Sequence, residues 1–502
     1  MYKRQIELAA AGRVLVLAKK QDTDPNALGI QAIAALSDED EVCLHLQDTL
    51  TAGDGLCNPE AVKIMVEEGP HRIEELIAWG KQFDRNGTKL VFGLENAHSR
   101  SRSLHAQGDS TGKEILRALF AKAQSLKHLS VAQSAFSIDL LTVAGRITGV
   151  SLIDEKGVPE DIACSAVLLA TGGMGQLYRT TTNSEVATGD GVAMAYRAGA
   201  EVSDLEFVQF HPTALYLKKA PRFLLSEALR GEGAHLRNFE LNRFMGKYHS
   251  MGELAPHDVV ARAIVHEMEV SRAKDPFVYL DLTHLNAAKV QKRFPRVYAT
   301  CMQLNIDITE DMIPVRPAAH FAMGGVRTDV NGTSSIAGLY AAGEAAATGL
   351  HGANRLPSNS LLEGLVYGAR AGKAMREAVR PPSTAGKLPR AAYSNGPVDV
   401  GVEEMIGQIQ DLMWNEVGIV RTRVAMQKAI KSLEEMTPRL AHPRTRRAHE
   451  TANLHLAALL VARSALAREE SRGAHYRMDH PDHDDKKFLK HSVIRGDKVA
   501  FV

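Results

Sequence analysis

Two kinds of apolar spacing alternate along this chain, short unbroken runs and longer stretches that repeat every three to four residues. Arg13-Val-Leu-Val-Leu-Ala18 and Ala166-Val-Leu-Leu-Ala-Thr171 are unbroken runs. That pattern predicts strands of a parallel sheet covered on both faces. Gly338-Leu-Tyr-Ala-Ala-Gly343 is a third such run, followed at once by Glu344. Residues 6–11 read as the end of a helix closed at Gly12. Residues 60–79 and 192–198 have helical periodicity, and Thr188-Gly-Asp190-Gly191 opens the second of these helices. Residues 131–150 alternate as strands do. Near residues 381–397 the composition turns to Pro, Ser and Gly, which marks a linker. Beyond it, residues 402–413, 420–436 and 444–470 read as three helices of a small antiparallel bundle.

The resulting expectation is an α/β protein. A Rossmann-like nucleotide-binding domain spans residues 1–206 and 322–385. An α+β capping domain is inserted at 207–321, and a three-helix domain covers 390–502. A chain of 502 residues is too long for one core, which agrees with several domains. Its apolar fraction of 45% and charged fraction of 24% are ordinary for a soluble globular protein. A net charge of +1 supplies no field for nucleic acid. No apolar run reaches membrane-spanning length, so no membrane partner is expected. The opening Met-Tyr-Lys-Arg is a weak secretory signature. Arg13 interrupts its apolar stretch and Lys19-Lys20 replaces a small-residue cleavage site, so a cytoplasmic protein is expected. Cys43, Cys57, Cys164 and Cys301 have neither disulfide, zinc nor iron–sulfur spacing. Asp479-His-Pro-Asp-His-Asp-Asp-Lys-Lys reads as a solvated tail rather than a metal site, and no metal is expected.

The most informative stretch is His351-Gly-Ala-Asn-Arg355-Leu-Pro-Ser-Asn-Ser360-Leu361-Leu-Glu363. It follows the strand that ends in Gly343-Glu344. A strand, a Gly-Glu pair, a glycine-containing loop and then a helix hold a nucleotide at the strand ends of a doubly wound sheet. Glu344 can accept hydrogen bonds from sugar hydroxyls. Arg355 can grip a carboxylate through two parallel bonds. Asp190, near the start of its helix, suits a cap on exposed backbone N–H groups.

This segment resembles the succinate dehydrogenase/fumarate reductase flavoprotein family. The likeness extends over nearly the whole chain, from His45 to Arg421 and the ending Glu470-Ser-Arg472-Gly473-Ala-His475-Tyr476-Arg477. Glu95-Asn-Ala-His98-Ser-Arg100-Ser-Arg102 resembles the Glu-Gly-Gly-His-Ser-His-Arg-Arg segment of the family's aspartate-oxidising branch. The resemblance implies FAD, with contacts from Lys19, Asp190, Glu344, Ser360 and Leu361. It also implies oxidation of L-aspartate to iminoaspartate with oxygen or fumarate as acceptor, feeding quinolinate and NAD synthesis, with transient contact to quinolinate synthase. His211, His320 and Arg355 would bind the two carboxylates, and Ser226 would offer a hydroxyl where many members carry Thr. Glu95 would pair with the substrate ammonium. Arg262, in Asp258-Val-Val-Ala-Arg262, would transfer the proton or act as an electrostatic clamp, with His211 the next proton carrier. A helix-surface pair with Asp258 is the ordinary alternative for such an arginine.

Two departures from the family stand out. The strand and Gly-x-Gly-x-x-Gly turn that should precede residues 6–11 are absent, so the chain reads as N-terminally incomplete. Asn26-Ala-Leu-Gly29-Ile-Gln31-Ala32-Ile33 stands where the family has an Ala-Gln-Gly-Gly-Ile-like loop against the flavin. That segment has no histidine for covalent attachment, so FAD should be non-covalent. The alternatives are a soluble fumarate reductase or succinate dehydrogenase flavoprotein subunit and a truncated non-catalytic homologue.

Overall fold

The computed structural model describes residues 12–20, 32–37, 40–95, 97–106, 110–217, 223–378 and 401–502. The expected helix end at 6–11, the stretch from Asn26 to Gln31 and the linker near 381–397 lie outside the described residues.

The apolar runs pair in parallel. Val14–Ala18 lies alongside Leu129–Gln133, and Val167–Leu169 alongside Leu339–Ala341. The alternating region forms an antiparallel meander of Phe136–Val143, Arg146–Ile153 and Pro159–Ala163. The helix Pro59–Ala78 starts where Asn58 accepts the N–H groups of Glu60 and Ala61. Pro59 sits at its first position, where no intrahelical N–H is needed. The helix buries Val62, Met65, Val66 and Leu76 in a cluster shared with Leu362 and Val366 of the helix Asn359–Ala378.

A four-stranded sheet occupies the stretch expected to interrupt this pattern, in the order Val208–Leu215, Ile313–Ala322, Val278–Asp281, His235–Arg237. With the helix His257–Val270 it encloses a cluster that includes Leu215, Leu229, Leu236, Val260, Ile264 and Leu280. The strands that enter and leave this region are antiparallel neighbours, with His211 opposite Ala318. This pairing brings His211 and His320 together although 109 positions separate them by their numbers.

The helices Val402–Glu416, Arg423–Met436 and Arg446–Ala467 share a core that includes Ile409, Met413, Leu433, Ala457 and Leu460. The chain then turns back. Ser492–Arg495 pairs with Val202–Ser203, and Lys498–Phe501 closes the edge of a five-stranded sheet that includes Gly325–Arg327 and Ala346–Ala347. Helical periodicity does not anticipate this hairpin. The segment read as a solvated tail also needs correction. Its side chains are mostly exposed, yet Asp479 takes two bonds of 2.8 Å from the buried Arg477, and Asp485 pairs with the buried Arg472. Arginine forks in the interior need carboxylates, and the acidic segment supplies them.

An ion network locks this return in place. Fully buried Arg468 donates to Glu206 Oε1 at 2.7 Å, to Glu470 Oε1 at 2.9 Å and to the carbonyls of Phe488 and Lys490. Ser492 Oγ donates to the other oxygen of Glu206 at 2.7 Å. Removing one partner of a buried pair strands the other charge. Arg468→Met should therefore destabilise the protein by about 3–5 kcal/mol, read as a lower urea midpoint. Early proteolytic release of the Ser492–Phe501 hairpin should accompany it. A midpoint unchanged from wild type would show that the network is dispensable.

Candidate active site

The loop from His351 to Ser358 carries Arg355 into the interior. Its fold depends on close backbone approach. Gly473, at φ +51°, lies so near that a Cβ there would come within 2.4 Å of the Ala353 carbonyl. Arg355 Nε donates to Gln209 Oε1 at 3.1 Å, and Gln209 Nε2 donates to the Arg355 carbonyl and to Asn354 Oδ1, both at 2.9 Å. Gln209 thus holds both the backbone and the Nε edge of Arg355. The NH1 group lies 3.4 Å from Ser360 Oγ, and the guanidinium stands over the Phe321 ring at 5.0 Å. Burial lowers the pKa of Arg355, while the carboxylates of Glu227, Glu344, Glu95 and Glu363 oppose that shift.

Three imidazoles gather nearby. The His211 ring lies 5.0 Å from that of His257 and 5.3 Å from that of His320. His211 Nδ1 accepts the Thr213 N–H at 3.2 Å, which leaves Nε2 to donate to Glu227 Oε2 at 3.1 Å. Burial lowers the pKa of His211 and holds those of His257 and His320 well below the ordinary value, so neutral rings are favoured. His320 Nδ1 faces Thr182 Oγ1 at 2.9 Å. Both ring nitrogens of buried His257 lack a hydrogen-bond partner among the described residues. A polar ligand suits such a cluster, since unpaired buried polar atoms are costly.

Glu95 lies within reach of the charges of Glu227 and Arg355. Fully buried Arg102 fastens its loop, with bonds of 2.7 and 2.9 Å to Asp40 and 2.5 Å to Asp48 of the helix Val42–Ala52. His98 links Arg102 to the Pro357 carbonyl, at 3.0 Å on each side. Ser358 Oγ donates to Glu95 Oε2. Burial, reinforced by the charge of Glu227, pushes the Glu95 carboxyl up to about 7.

Two residues expected at the substrate have other partners here. Ser226 Oγ caps the short helix Glu227–Gly231 by accepting the Ala228 N–H at 3.2 Å. A hydroxyl just before a helix is drawn to its unpaired N–H groups. Arg262 is not in the buried cluster. Its side chain is 29% exposed, and its NH1 pairs with Asp258 at 2.9 Å and reaches the Gly473 carbonyl at 3.3 Å. Helical spacing of four residues puts this acid and base side by side. Asp258 in turn accepts from Asn354 at 3.1 Å, so hydrogen bonds run from Arg262 through Asp258, Asn354 and Gln209 to Arg355.

The expected FAD residues divide into two groups. Glu344 stands at the end of its strand against Gly173, where an added Cβ would come within 2.1 Å of its Oε1. Its Oε1 accepts the Ala322 N–H at 3.0 Å, and burial pushes the carboxyl up to about 7. A buried acid under that pressure is suited to ligand hydroxyls, which fits the sugar-like part of FAD. Ser360 and Leu361 lie in the first turn of the helix Asn359–Ala378. Asp190 and Lys19 form the second group. Asp190 Oδ2 takes bonds from Lys19 at 2.7 Å and Thr188 at 2.9 Å, and its Oδ1 takes one from Asn453 at 2.8 Å. A cavity of about 540 Å³ opens beside Lys19 and Thr188, lined also by Arg446 and Glu450, which touch Lys19. It is remote in character from the Arg355 cluster. The Arg355 cluster, with its three imidazoles, shares no residue with this cavity.

Sequence reasoning gave no part to Gln209, His257, Glu227 or Ser358. Gln209 was detectable, because it lies two residues from His211 on one strand. His257 and Ser358 become visible only through tertiary contact.

The family model for an FAD binding domain matches residues 6–361, and the model for the fumarate reductase flavoprotein C-terminus matches residues 407–501. An L-aspartate oxidase of Synechocystis sp. is 41% identical, with 93% of this chain and 89% of that protein covered. One from Streptomyces coelicolor is 42% identical over 97% of this chain and 88% of its own length. Among solved structures, an E. coli quinol fumarate reductase chain superposes with a TM-score of 0.89 at 30% identity, covering all of this chain and 94% of that one. With both halves of the fold matched and about two-fifths of its residues shared with these oxidases, the chain belongs to the L-aspartate oxidases of the succinate dehydrogenase/fumarate reductase flavoprotein family.

Proposed function

We infer that this protein is an FAD-dependent enzyme that oxidises L-aspartate to iminoaspartate, with oxygen or fumarate as the terminal acceptor. One observation carries the reading. Buried Glu95 is bonded by Ser358 of the loop that carries buried Arg355, and the charge of Arg355 acts on Glu95 and on the imidazoles of His211, His257 and His320. A dicarboxylate needs the fork, and only a substrate with an amine needs the acid.

Glu344, Ser360, Leu361, Asp190 and Lys19 would hold FAD without a covalent link. The flavin supplies the acceptor for the Cα hydride. Arg355 binds one carboxylate with the edge that Gln209 leaves available; His320 binds the other through Nε2, and His211 joins it by exchanging its Glu227 bond for one to the carboxylate. Glu95 pairs with the ammonium and so orients Cα. Glu227 holds His211 in the Nε2–H form until substrate enters. Ser226 keeps its proton available while its oxygen caps the helix. Arg262 carries the transferred proton; its bonds through Asp258 to Asn354, next to Arg355, support that role. The product would supply quinolinate formation and NAD synthesis, with transient contact to quinolinate synthase in the cytoplasm. No helix among the described residues is long and apolar enough to cross a membrane.

The test uses the full chain incubated with FAD and freed of excess. L-Aspartate should drive oxygen uptake and, without oxygen, fumarate reduction, with ammonia released as the imine hydrolyses. Succinate should not replace L-aspartate. A protein that holds flavin and reduces fumarate but ignores L-aspartate would be the fumarate reductase alternative, and one that binds no flavin would be non-catalytic.

A further inference from the structure

Ser358 stands directly before the helix Asn359–Ala378 with φ +63°. That left-handed conformation is unfavourable for a side chain with a Cβ, and such positions usually fall to glycine or asparagine. The conformation is held from both ends. The Ser358 carbonyl accepts the Ala34 N–H at 3.0 Å, and the preceding Pro357 carbonyl faces His98 Nε2 at 3.0 Å. Asn359 is fixed by His45 at 2.8 Å and by Thr49 at 3.0 Å. The result is a hydroxyl aimed at one place, Glu95 Oε2. An unfavourable backbone retained with its side chain aimed at a buried acid points to a function for that side chain.

The surroundings of Glu95 give the hydroxyl its importance. The other carboxyl oxygen lies 3.7 Å from His105 Nε2, and burial pushes His105 down to about 4, so that ring is neutral. Glu227 and Arg355 are the charges that act on Glu95, one favouring protonation and the other opposing it. A donor bonded to a carboxylate favours its ionised form.

We propose that Ser358 is a specificity-setting positioning residue: its hydroxyl keeps Glu95 ionised and facing the substrate cluster, and so selects an α-amino dicarboxylate over one that lacks the amine. The inference rests on the assignment of Glu95 to the substrate ammonium. Burial and Glu227 have already raised Glu95 to about 7, so loss of the Ser358 donor raises its titration further, with Ser103 the remaining side-chain donor. A protonated Glu95 cannot pair with an ammonium, yet it tolerates fumarate.

The experiment compares wild type, Ser358→Gly and Ser358→Ala as FAD-loaded full chains. Glycine removes the hydroxyl and also relieves the left-handed backbone, so its Tm should equal or exceed that of wild type. Alanine removes only the hydroxyl. In both variants the rising limb of kcat/KM for L-aspartate should move up by about one pH unit, giving about fivefold lower kcat/KM at about pH 7 and about tenfold lower below about pH 6. Fumarate reduction should change by less than about twofold. An unmoved aspartate limb, or aspartate and fumarate activities that fall together, overturns the role of Ser358 while wild-type aspartate turnover preserves the proposed function. Wild-type protein that reduces fumarate but does not turn over L-aspartate overturns both.

Discussion

Glu95→Gln is expected to lower kcat/KM for L-aspartate by about ten- to hundredfold while changing fumarate reduction by less than about twofold. The asymmetry follows from charge. A hydrogen bond between ionised groups contributes roughly 1.5–3 kcal/mol, and only aspartate has an ammonium to make one. Glutamine keeps the volume and can still accept from Ser358, so the loop should hold its shape. The pH profiles of wild type should carry the same signature. Glu95 is raised to about 7, so it is a neutral acid below that pH and a carboxylate above it. The kcat/KM for aspartate should therefore rise through pH 7, and that for dianionic fumarate should fall. Glu95→Gln should remove the aspartate limb. Equal losses with both substrates would return Glu95 to a structural part.

Arg355→Lys should raise KM for L-aspartate and fumarate alike, by about ten- to hundredfold, with a smaller fall in kcat. Lysine keeps the charge but lacks the planar fork. It also cannot meet a carboxylate and satisfy Gln209 Oε1 as the arginine Nε does, so a buried acceptor loses its partner. Four nearby carboxylates that now act on a compact cation should resist deprotonation of the new lysine. Arg262→Lys is the contrasting variant. If Arg262 carries the proton, kcat and kcat/KM should fall together, most clearly in fumarate reduction, where a proton is delivered to carbon. A raised KM with kcat intact would make Arg262 a binding residue and turn attention to His211.

The legible parts of this fold are those governed by local pattern. Val14–Ala18, Val167–Leu169 and Leu339–Ala341 follow unbroken apolar runs, and Pro59–Ala78 follows an Asn-Pro start with helical spacing. The hairpin Ser492–Phe501 is different. Gly496-Asp497 between two alternating runs is a hairpin signal, but the charged residues ahead of it dominate the composition. At the site, Arg355 and Glu344 stand out because glycines and a strand frame them. Glu95 stands out only through its resemblance. The bonds that tune these groups, Gln209 to Arg355 and Ser358 to Glu95, join residues far apart in sequence. A single sequence has no local pattern that reports such pairs. Ser226 and Arg262 show the converse, because their local partners, a helix N-terminus and Asp258, were foreseeable and are the ones they take.

The pairing of Val202–Ser203 with Ser492–Arg495 has a consequence for synthesis. Ser203 Oγ bonds to the carbonyl of Ser492, 289 residues further along. A ribosome adding about 5–20 residues per second would leave the middle of that sheet without its neighbour for roughly 15–60 seconds. During that interval Val202–Ser203 is an open edge, able to accept a strand from another chain. Nascent protein should therefore be most prone to aggregate after the capping region emerges and before the hairpin arrives. Slow late codons or a bulky fusion beside the hairpin should lower soluble yield without changing the activity of the molecules that mature.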